Sequence, residues 1–452
     1  MITVGIYFKT ELSFANRRRL EYVLGILNDF PLLKGKAIWK INPAMQEVVE
    51  RRIYYEYTVS SLADNSYFIP NQFKLFSTAQ QLVCNKYQRG NDSIYSVEKV
   101  RKPAGLFLYQ QQFGFDIFAT IFYHLSRFEE YYANPEDWDQ YDMLQEEKHL
   151  LVREKLEQIP IVDRLIIAFA KALKLPIEIP VTTYQLSHDI DTIRQFPSFY
   201  KYLRASIRIL RDTFSLRKWW QLTSIYQRVL KKEIKDPHDT FDWLLLTNSL
   251  INNDLTKSRV VNKTVKNNHS FNIFTQVIFS QKVIYFLAGG KTKYENFYKI
   301  TDSRVQEIIQ LAKARGYQIG LHPSYLTWRN AEMLEKEKIK LEQIVGEEVI
   351  HSRQHFLHFD FKKTPELLVA AGIKEDSTLG YQNRIGFRCG TGFRYQMYDF
   401  KQEMSFDLWQ TPMVVMDVAL LTQANNDVAA WERVLLKFLK ENQPGTEIVF
   451  NF

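Results

Sequence analysis

The chain has 452 residues, which is enough for two to four domains of ordinary size. Hydrophobic residues make up 46% and charged residues 24%, a balance that excludes disorder over most of the chain. Lys and Arg outnumber Asp and Glu by 59 to 51, and this mild excess is only weak support for a polyanionic partner.

The cysteines and the N-terminus bear on the compartment. Cys84 and Cys389 lie too far apart for a CxxC zinc site, and two cysteines argue against a disulfide framework. The apolar residues 1–8 follow no basic segment and are followed by Lys9 and Glu11, which favours a strand over a signal peptide. No run of about 18 apolar residues occurs, so no membrane span is expected. We therefore expect a cytoplasmic protein.

Residues 1–178 are predicted to form an N-terminal α/β domain of unknown function. Short strands are expected at Thr3–Phe8, Gly35–Ile41 and Ile53–Ser60. Apolar residues recur at spacings of three and four over Asp116–Tyr132 and Ile161–Lys174, the period of a helix with one buried face. Asp116 is the expected N-cap of the first of these helices.

Pro176 and Pro180 interrupt this pattern, and residues 179–452 are predicted to form a second domain. Its expected strands begin at Val181, Val283 and Ile319, and its expected helices are Val305–Arg315, Ala331–Val345 and Pro365–Ala371. Strands that alternate with helices are typical of βα units around a parallel sheet. We expect this sheet to curl into a distorted (β/α) barrel, which makes the protein α/β in class.

Two segments of the second domain depart from this alternation. Residues 201–235 hold ten Lys or Arg against two acidic residues, with aromatic residues between them. They are interpreted either as a helix that binds an anion or a membrane surface, or as a solvated helical excursion whose aromatic residues pack on the body. The second interpretation is favoured, and a nucleic-acid role has no accompanying motif. The Asn-rich residues 248–272 are predicted to be an exposed insertion.

Asp189 and Asp191 follow an apolar strand in the string Ser-His-Asp-Ile-Asp. In extended backbone both side chains point to the same side, with Cα atoms about 6–7 Å apart. Two carboxylates this close repel, so one is protonated or a cation lies between them. A divalent metal held by one carboxylate would offset this repulsion and leave the other carboxylate as a general base. The alternative is a solvated pair that caps the next helix.

His322 ends another predicted strand, directly after Gly320 and Leu321. At the mouth of a barrel it would face the same side as the two aspartates. A single His is more often structural, but together with the aspartates it is a candidate metal ligand. Ser324 and Tyr325, which follow it, are candidate substrate contacts.

A third string contains Arg353, His355 and His358. Arg353 would hold an aspartate in its ionised state through a bidentate pair, or it would instead pair with the surface residues Glu347 or Glu348. His355 and His358 are three residues apart, so only one of them need face a pocket in a strand.

Taken together, these strings resemble the polysaccharide deacetylases, the family-four carbohydrate esterases. The first motif of that family is Asp-x-Asp, in which the first Asp is the base and the second binds the metal. By this resemblance the two roles fall to Asp189 and Asp191. Residues 316–322 resemble the lead-in to the second motif, which gives His322 the role of its first metal-binding His. Arg353 takes the place of the Arg that orients the base.

The order of the strings narrows the resemblance further. SHDID, GLHPSY, RQHFL, DSTLGY and GFRCGT resemble a Bacteroidota-type subgroup whose N-terminal region is of uncharacterised function. In that subgroup a helix like the one that begins at Asp116 precedes the barrel. The last two strings supply Tyr381 and Arg388 as further candidate substrate contacts.

The sequence also departs from the family pattern. The second metal-binding His falls at Leu326, which cannot bind a metal, and His355, Ser324 or a water would have to substitute. No His follows His358, so the general acid of the family would have to come from His355 or His358.

The resemblance implies a divalent metal, zinc by preference, held by Asp191 and His322. The implied activity is hydrolysis of a non-peptide amide, N-deacetylation of an amino sugar in a glycan or its precursor, with Asp189, Arg353 and His355 as catalytic residues. The expected partner is the glycan substrate and not a nucleic acid. The alternative is a catalytically degenerate glycan-binding or scaffold protein on the same barrel, which the missing histidines favour.

Overall fold

The computed structural model describes residues 1–8, 11–44, 46–55, 64–70, 82–98, 101–109, 111–179, 181–245, 279–290, 292–295, 298–425 and 427–452. The Asn-rich residues 248–272 lie outside the described residues, and so do residues 56–60, the last part of the strand predicted at Ile53–Ser60. The chain is a mixed α/β protein of two compact units. The first unit comprises residues 1–186 and 352–452, and the second comprises residues 187–351. The predicted domain boundary between residues 178 and 179 stays a prediction.

The described residues of the N-terminal part of the first unit include nine strands. They are β1 (Ile2–Tyr7), β2 (Ala37–Ile41), β3 (Arg51–Tyr55), β4 (Ser66–Ile69), β5 (Val83–Arg89), β6 (Asp92–Glu98), β7 (Gly105–Leu106), β8 (Leu108–Tyr109) and β9 (Gln112–Phe113). A six-stranded sheet has the order β2-β1-β3-β4-β9-β8 and is parallel except at its β9–β8 edge. A three-stranded sheet has the order β6-β5-β7. In β1, Val4 and Ile6 are fully buried, as expected for alternate residues on one face of a sheet.

The described part of this region also includes the helices α1 (Phe14–Asp29), α2 (Ile117–Leu125), α3 (Phe128–Tyr131), α4 (Leu150–Arg153) and α5 (Ile161–Ala172). The carboxylate of Asp116 accepts a hydrogen bond from the backbone N–H of Ala119 at 2.9 Å, so the predicted N-cap is confirmed. The prediction of one continuous helix to Tyr132 is wrong. Arg127 has φ of 56°, in the left-handed region, and this backbone turn separates α2 from α3.

The second unit contains most of the predicted βα alternation. Its elements are the end of β10 (Thr183–Ile190), then α6 (Phe199–Thr213), α7 (Leu216–Leu230), β11 (Phe279–Phe286), α8 (Ser303–Ala314), β12 (Gln318–Leu321) and α9 (Ala331–Val345). β11 and β12 pair in parallel, with Phe286 opposite Leu321. Gly316, with φ of 74°, follows α8 in the left-handed conformation that favours glycine after a helix. The helices predicted in this unit are therefore confirmed to within two residues.

The C-terminal part of the chain returns to the first unit. Its elements are β13 (His351–Ser352), α10 (Thr364–Ala370), β14 (Glu375–Asp376), β15 (Tyr395–Asp399), β16 (Met404–Gln410), β17 (Val415–Met416), α11 (Asp417–Gln423), α12 (Val428–Glu441) and β18 (Glu447–Asn451). Short 3-10 helices occur at Pro135–Asp137, Glu146–Lys148, Thr327–Arg329 and His355–Leu357. β14–β16 and β17–β18 are parallel, whereas β15 and β16 form an antiparallel pair that sequence analysis did not predict. Closure into a barrel stays a prediction. Within the described ranges no helix combines the length and apolarity that crossing a membrane requires.

A buried network of charges joins the two chain segments that form the first unit, residues 1–186 and 352–452. The Arg127 guanidinium donates to the Glu130 carboxylate at 2.9 Å and to the backbone carbonyl of Arg388 at 2.7 Å. The Arg388 guanidinium donates to the other oxygen of Glu130 at 2.5 Å. Burial alone would raise the pKa of Glu130, but the two guanidinium groups outweigh it and hold that pKa well below its usual range.

The glycine-rich string around Arg388 makes close backbone contacts in the same unit. A Cβ on Gly392 would lie 1.9 Å from the carbonyl oxygen of Glu447, and a Cβ on Gly386 would lie 2.4 Å from that of Glu157. Neither position has space for a side chain. These glycines therefore have a packing role, and a ligand is not needed to explain them.

Asp163 of α5 is fully buried and is held by the same loop. It accepts hydrogen bonds from the hydroxyl groups of Thr391 and Thr446 and from the backbone N–H of Gly392. Burial outweighs these hydrogen bonds and raises the pKa of Asp163 to about 7.

We expect the Asp163→Asn variant to lose part of the pH dependence of stability. A carboxyl group whose pKa is raised by folding binds its proton more tightly in the folded state. Its stabilising contribution is therefore complete below pH 4 and is lost towards pH 7, at about 1.4 kcal/mol per pH unit. Urea unfolding of both proteins between pH 4 and pH 8 measures this slope. An unchanged slope in the variant would contradict the assignment to Asp163.

Candidate functional site

The end of β10 places Asp189 and Asp191. Ser187, His188 and Ile190 are buried, Asp189 is partly exposed, and Asp191 stands just beyond the strand with 52% of its side chain exposed. Tyr298 fixes this strand end, because its hydroxyl donates to the carbonyl of Ile190 at 2.8 Å and accepts from the backbone N–H of Leu287 at 2.8 Å. The two acidic groups therefore lie at the C-terminal end of a strand whose position is set by hydrogen bonds.

The end of β12 places His322. The backbone N–H of His322 donates to the carbonyl of Phe286 at 2.9 Å, which continues the parallel ladder by one residue. Gly320 has no space for a side chain, since a Cβ there would lie 2.4 Å from the Tyr285 ring. The His322 side chain is only 3% exposed. A buried strand end thus presents a histidine in a fixed orientation.

The structure brings Asp191 and His322 together. The distance from Asp191 Oδ1 to His322 Nε2 is 3.4 Å. That exceeds the usual 2.7–3.2 Å range of an N–H···O hydrogen bond. Two ligand atoms that each lie about 2.0–2.1 Å from a tetrahedral Zn²⁺ are about 3.4 Å apart. The pair therefore has the atom types and the spacing that a zinc ion requires of two of its ligands.

Ser324 and Tyr325 are held by two buried glutamates of the second unit. Ser324 donates to Glu337 through its backbone N–H at 2.9 Å and through its hydroxyl at 2.5 Å. The backbone N–H of Tyr325 donates to Glu295. Burial raises the pKa of Glu337, although the two hydrogen bonds from Ser324 lower it in part. These contacts fix the orientation of the Ser324 hydroxyl, and its roles as a substrate contact or a substitute metal ligand stay predictions.

Leu326 lies where the family pattern has its second metal-binding His. Its side chain is apolar and 46% exposed. The resemblance to the second motif therefore provides one ligand here, His322, and not two.

Arg353 and His355 belong to the first unit. Arg353 is fully buried and donates to the carbonyl of Ser377 at 3.0 Å, to the Ser377 hydroxyl at 2.8 Å and to the amide oxygen of Asn451 at 2.7 Å. These partners lie within the first unit, and the alternative pairing with Glu347 or Glu348 stays untested. His355 is 6% exposed, in the short helix His355–Leu357. The roles predicted for both residues towards the aspartates stay predictions.

The DSTLGY string forms a second buried polar cluster in the first unit. The Asp376 carboxylate accepts from the hydroxyls of Ser352 at 2.7 Å and Thr378 at 2.8 Å, and from the backbone N–H of Thr378 at 2.9 Å. Burial raises the pKa of Asp376 to about 6 despite these hydrogen bonds. The cluster lies next to Ser377 and therefore orders the residues that hold Arg353.

Tyr381 and Arg388 line a cavity of about 240 Å³ in the first unit. All three side-chain nitrogens of Arg388 are bound by Glu130 and the carbonyl of Gly380, so a substrate contact is not needed to explain its position. Tyr381 is 3% exposed. The substrate roles expected for both residues stay predictions.

Sequence analysis missed four residues that shape these sites: Tyr298, Glu337, Asp376 and Asn451. Each acts through a contact with a residue distant in sequence, and none stands in a recognisable spacing. Only Asp376 carried a signal, because it belongs to a string that the resemblance had already marked.

Comparison with known proteins assigns no activity to this chain. A family model described as a family of unknown function, DUF7033, matches residues 11–177, which is less than half of the chain. No curated protein sequence matches. Among solved structures, the chain is similar to one from Mycobacterium smegmatis described as a "putative polysaccharide deacetylase". The identity is 14%, the match covers 61% of this chain and 77% of that chain, and the TM-score is 0.31. A TM-score this low supports no conclusion about fold or function.

We expect zinc to stabilise the protein through Asp191 and His322. Free zinc at 100 times its Kd should add about 2.7 kcal/mol to the free energy of unfolding and raise Tm accordingly. Asp191→Ala and His322→Ala should lose most of this zinc-dependent rise, measured by thermal unfolding with and without zinc. His238→Ala, which removes an exposed histidine of the same unit, is the matched control and should keep it. A wild-type chain whose Tm does not respond to zinc would contradict the site.

Proposed function

We propose that this protein is a metal-dependent hydrolase that removes the acetyl group from an amino sugar of a glycan or glycan precursor. The proposal rests on the distance of 3.4 Å between Asp191 Oδ1 and His322 Nε2, at the ends of β10 and β12. Family resemblance predicted these two residues as metal ligands. A carboxylate and an imidazole are both ligands that zinc accepts, and their spacing suits a tetrahedral ion.

A zinc ion held there would supply Lewis-acid polarisation of the amide carbonyl and would lower the pKa of a bound water. Asp189 is proposed to accept the proton of the attacking water. It stands two residues before Asp191 on β10 and is partly exposed, so solvent and substrate can reach its carboxylate. Neighbouring positive charge keeps such a carboxylate ionised, and Arg353 is proposed to provide that charge by analogy with the family.

His355 is proposed as a third metal ligand. Catalytic zinc sites commonly use three protein ligands and leave a fourth position for water. Leu326 cannot supply the missing ligand, and the hydroxyl of Ser324 is bound to Glu337. Of the substitutes considered from the sequence, which were His355, Ser324 and a water, His355 offers the imidazole that zinc commonly takes as a protein ligand.

The base assignment predicts separable effects of two aspartate substitutions. Asp189→Asn should retain zinc and lower the rate of acetate release from N-acetylglucosamine oligosaccharides by about 10²–10⁴-fold, because the amide cannot accept the proton. Asp191→Ala should lose both zinc and activity. Asp407→Asn, on an exposed aspartate that pairs with Lys374, makes the same change away from the site and should leave both unaffected. Full activity of Asp189→Asn would rule out its role as base.

The ligand assignment predicts a difference between two neighbouring histidines. His355→Ala should weaken zinc binding strongly, as titration calorimetry with zinc measures, whereas His358→Ala should bind zinc as the wild type does. Because His355 is buried, His355→Asp provides a second test that keeps a possible ligand in place and should retain measurable zinc affinity. If His355→Ala and wild type bind zinc equally, the third ligand lies elsewhere.

The second candidate function is a glycan-binding or scaffold protein without turnover, which the exposed Leu326 in place of a histidine favours. The two candidates differ in one measurement. A zinc-loaded wild-type chain that binds N-acetylated oligosaccharides and releases no acetate would support the scaffold and overturn the hydrolase.

A further inference from the structure

Residues 199–235 form a helical hairpin with its own small core, which we call the basic hairpin. Its two helices are α6 and α7, joined at Phe214 and Ser215. The rings of Tyr202 and Tyr226 stack with centroids 4.0 Å apart and planes at 6°, and the Tyr202 hydroxyl lies 2.9 Å from that of Thr223. Tyr202 lies on α6 and Tyr226 lies on α7, so these contacts form a seam that holds the two helices together. The aromatic residues of this seam therefore account for only part of the hairpin's apolar surface.

Other apolar side chains of the basic hairpin are exposed to solvent. Phe214 at the turn is 89% exposed, and Leu216 and Trp220 next to it are 69% and 63% exposed. Along α6, a further exposed set recurs at four-residue spacing: Phe199, Leu203 and Ile207. The interpretation from sequence, in which all these aromatic residues pack on the body, does not hold for the turn. Exposed apolar surface grouped in this way is typical of an interaction site.

The same hairpin holds the positive charge of the chain. Residues 201–235 contain ten Lys or Arg and two acidic residues, an excess of eight, which equals the net charge of the entire protein. The two acidic residues are each next to an arginine, Asp212 by Arg211 and Glu233 by Arg228. All other segments of the chain together are neutral. The partner of this surface is therefore expected to be negatively charged.

Helical spacing places the two properties side by side. Arg204, Arg208 and Arg211 directly follow Leu203, Ile207 and Leu210 in the sequence. Because these arginines recur every three or four residues, they form a row along α6 beside the exposed apolar set. A helix with apolar residues on one side and Lys or Arg beside them lies in the interface of a membrane, with its cations among lipid headgroups. Exposed Trp and Phe are typical of that interface as well.

We propose that the basic hairpin docks this protein on the surface of an anionic lipid bilayer, with Phe214, Leu216 and Trp220 inserted among the headgroups. Charge decides against a second copy of this chain as the occupant, because two such surfaces repel each other. Charge alone would also suit a nucleic acid, but phosphate contacts need no exposed Phe, Leu and Trp at a helical turn. An anionic lipid surface would contact both the basic residues and the exposed apolar residues of the turn.

Vesicle binding by the full chain tests the proposal. Wild type should sediment with vesicles of phosphatidylcholine that contain about 30% phosphatidylserine and not with phosphatidylcholine alone, and 1 M salt should release it because the Debye length falls to about 3 Å. The triple variant Arg204→Gln, Arg208→Gln and Arg217→Gln should bind on the order of 100-fold more weakly, at about fivefold per basic residue. Phe214→Ser should also weaken binding.

Matched controls separate the hairpin from general surface effects. Arg17→Gln, Lys336→Gln and Lys437→Gln together remove three exposed cations elsewhere, and Phe14→Ser removes an exposed phenylalanine of α1. Both controls should bind like wild type.

The fluorescence of Trp220, taken as the difference between wild type and Trp220→Phe, should shift to the blue on anionic vesicles. Equal binding to neutral vesicles, no binding to either kind, or a dimer that Phe214→Ser dissociates would each overturn the proposal. Tight binding to single-stranded RNA without any vesicle binding would overturn it too.

Discussion

A carboxylate removed from water must find a cation or several hydrogen bonds, and the first unit is organised by this constraint. Glu130, Asp163 and Asp376 are buried, and each is satisfied by residues far away in the sequence. Removal of one partner from a buried ionic pair typically costs about 3–5 kcal/mol. Glu130 and Asp163 therefore tie residues 352–452 to the N-terminal part of the chain, and the two segments form one discontinuous unit.

The candidate metal centre depends on a different constraint, the parallel pairing of strands. Asp191 follows β10 and His322 follows β12, so their side chains emerge where strands end, and Tyr298 fixes the end of β10 by its hydrogen bond to Ile190. This order of elements is what brings a half-exposed carboxylate within 3.4 Å of a buried imidazole. The ladder between β11 and β12, with Phe286 opposite Leu321, sets the register of the strand that carries His322.

Composition leaves two interpretations of the basic hairpin open, and its charge together with the exposure of its turn favours the one in which it binds a surface. Tyr202 and Tyr226 stack between its two helices and belong to a buried cluster that does not include the exposed residues of the turn. A hydrolase of glycans or their precursors that rests on a lipid surface would act on substrates close to that surface. Membrane docking and hydrolysis nevertheless use different residues, because none of the residues proposed for hydrolysis lies in the basic hairpin.

The sequence by itself determined local elements, such as the helices of the second unit and the N-cap at Asp116, because periodicity and capping act over a few residues. The pair Asp191 and His322 became a candidate through the family resemblance of its motifs, and only the fold shows that the two side chains lie 3.4 Å apart. The sequence could not determine the break at Arg127, since a left-handed turn for a non-glycine residue is stabilised by distant contacts such as the Arg388 carbonyl. Nor could it show that the hairpin turn is exposed. Only tertiary structure decides these features, because burial is a property of everything that surrounds a residue.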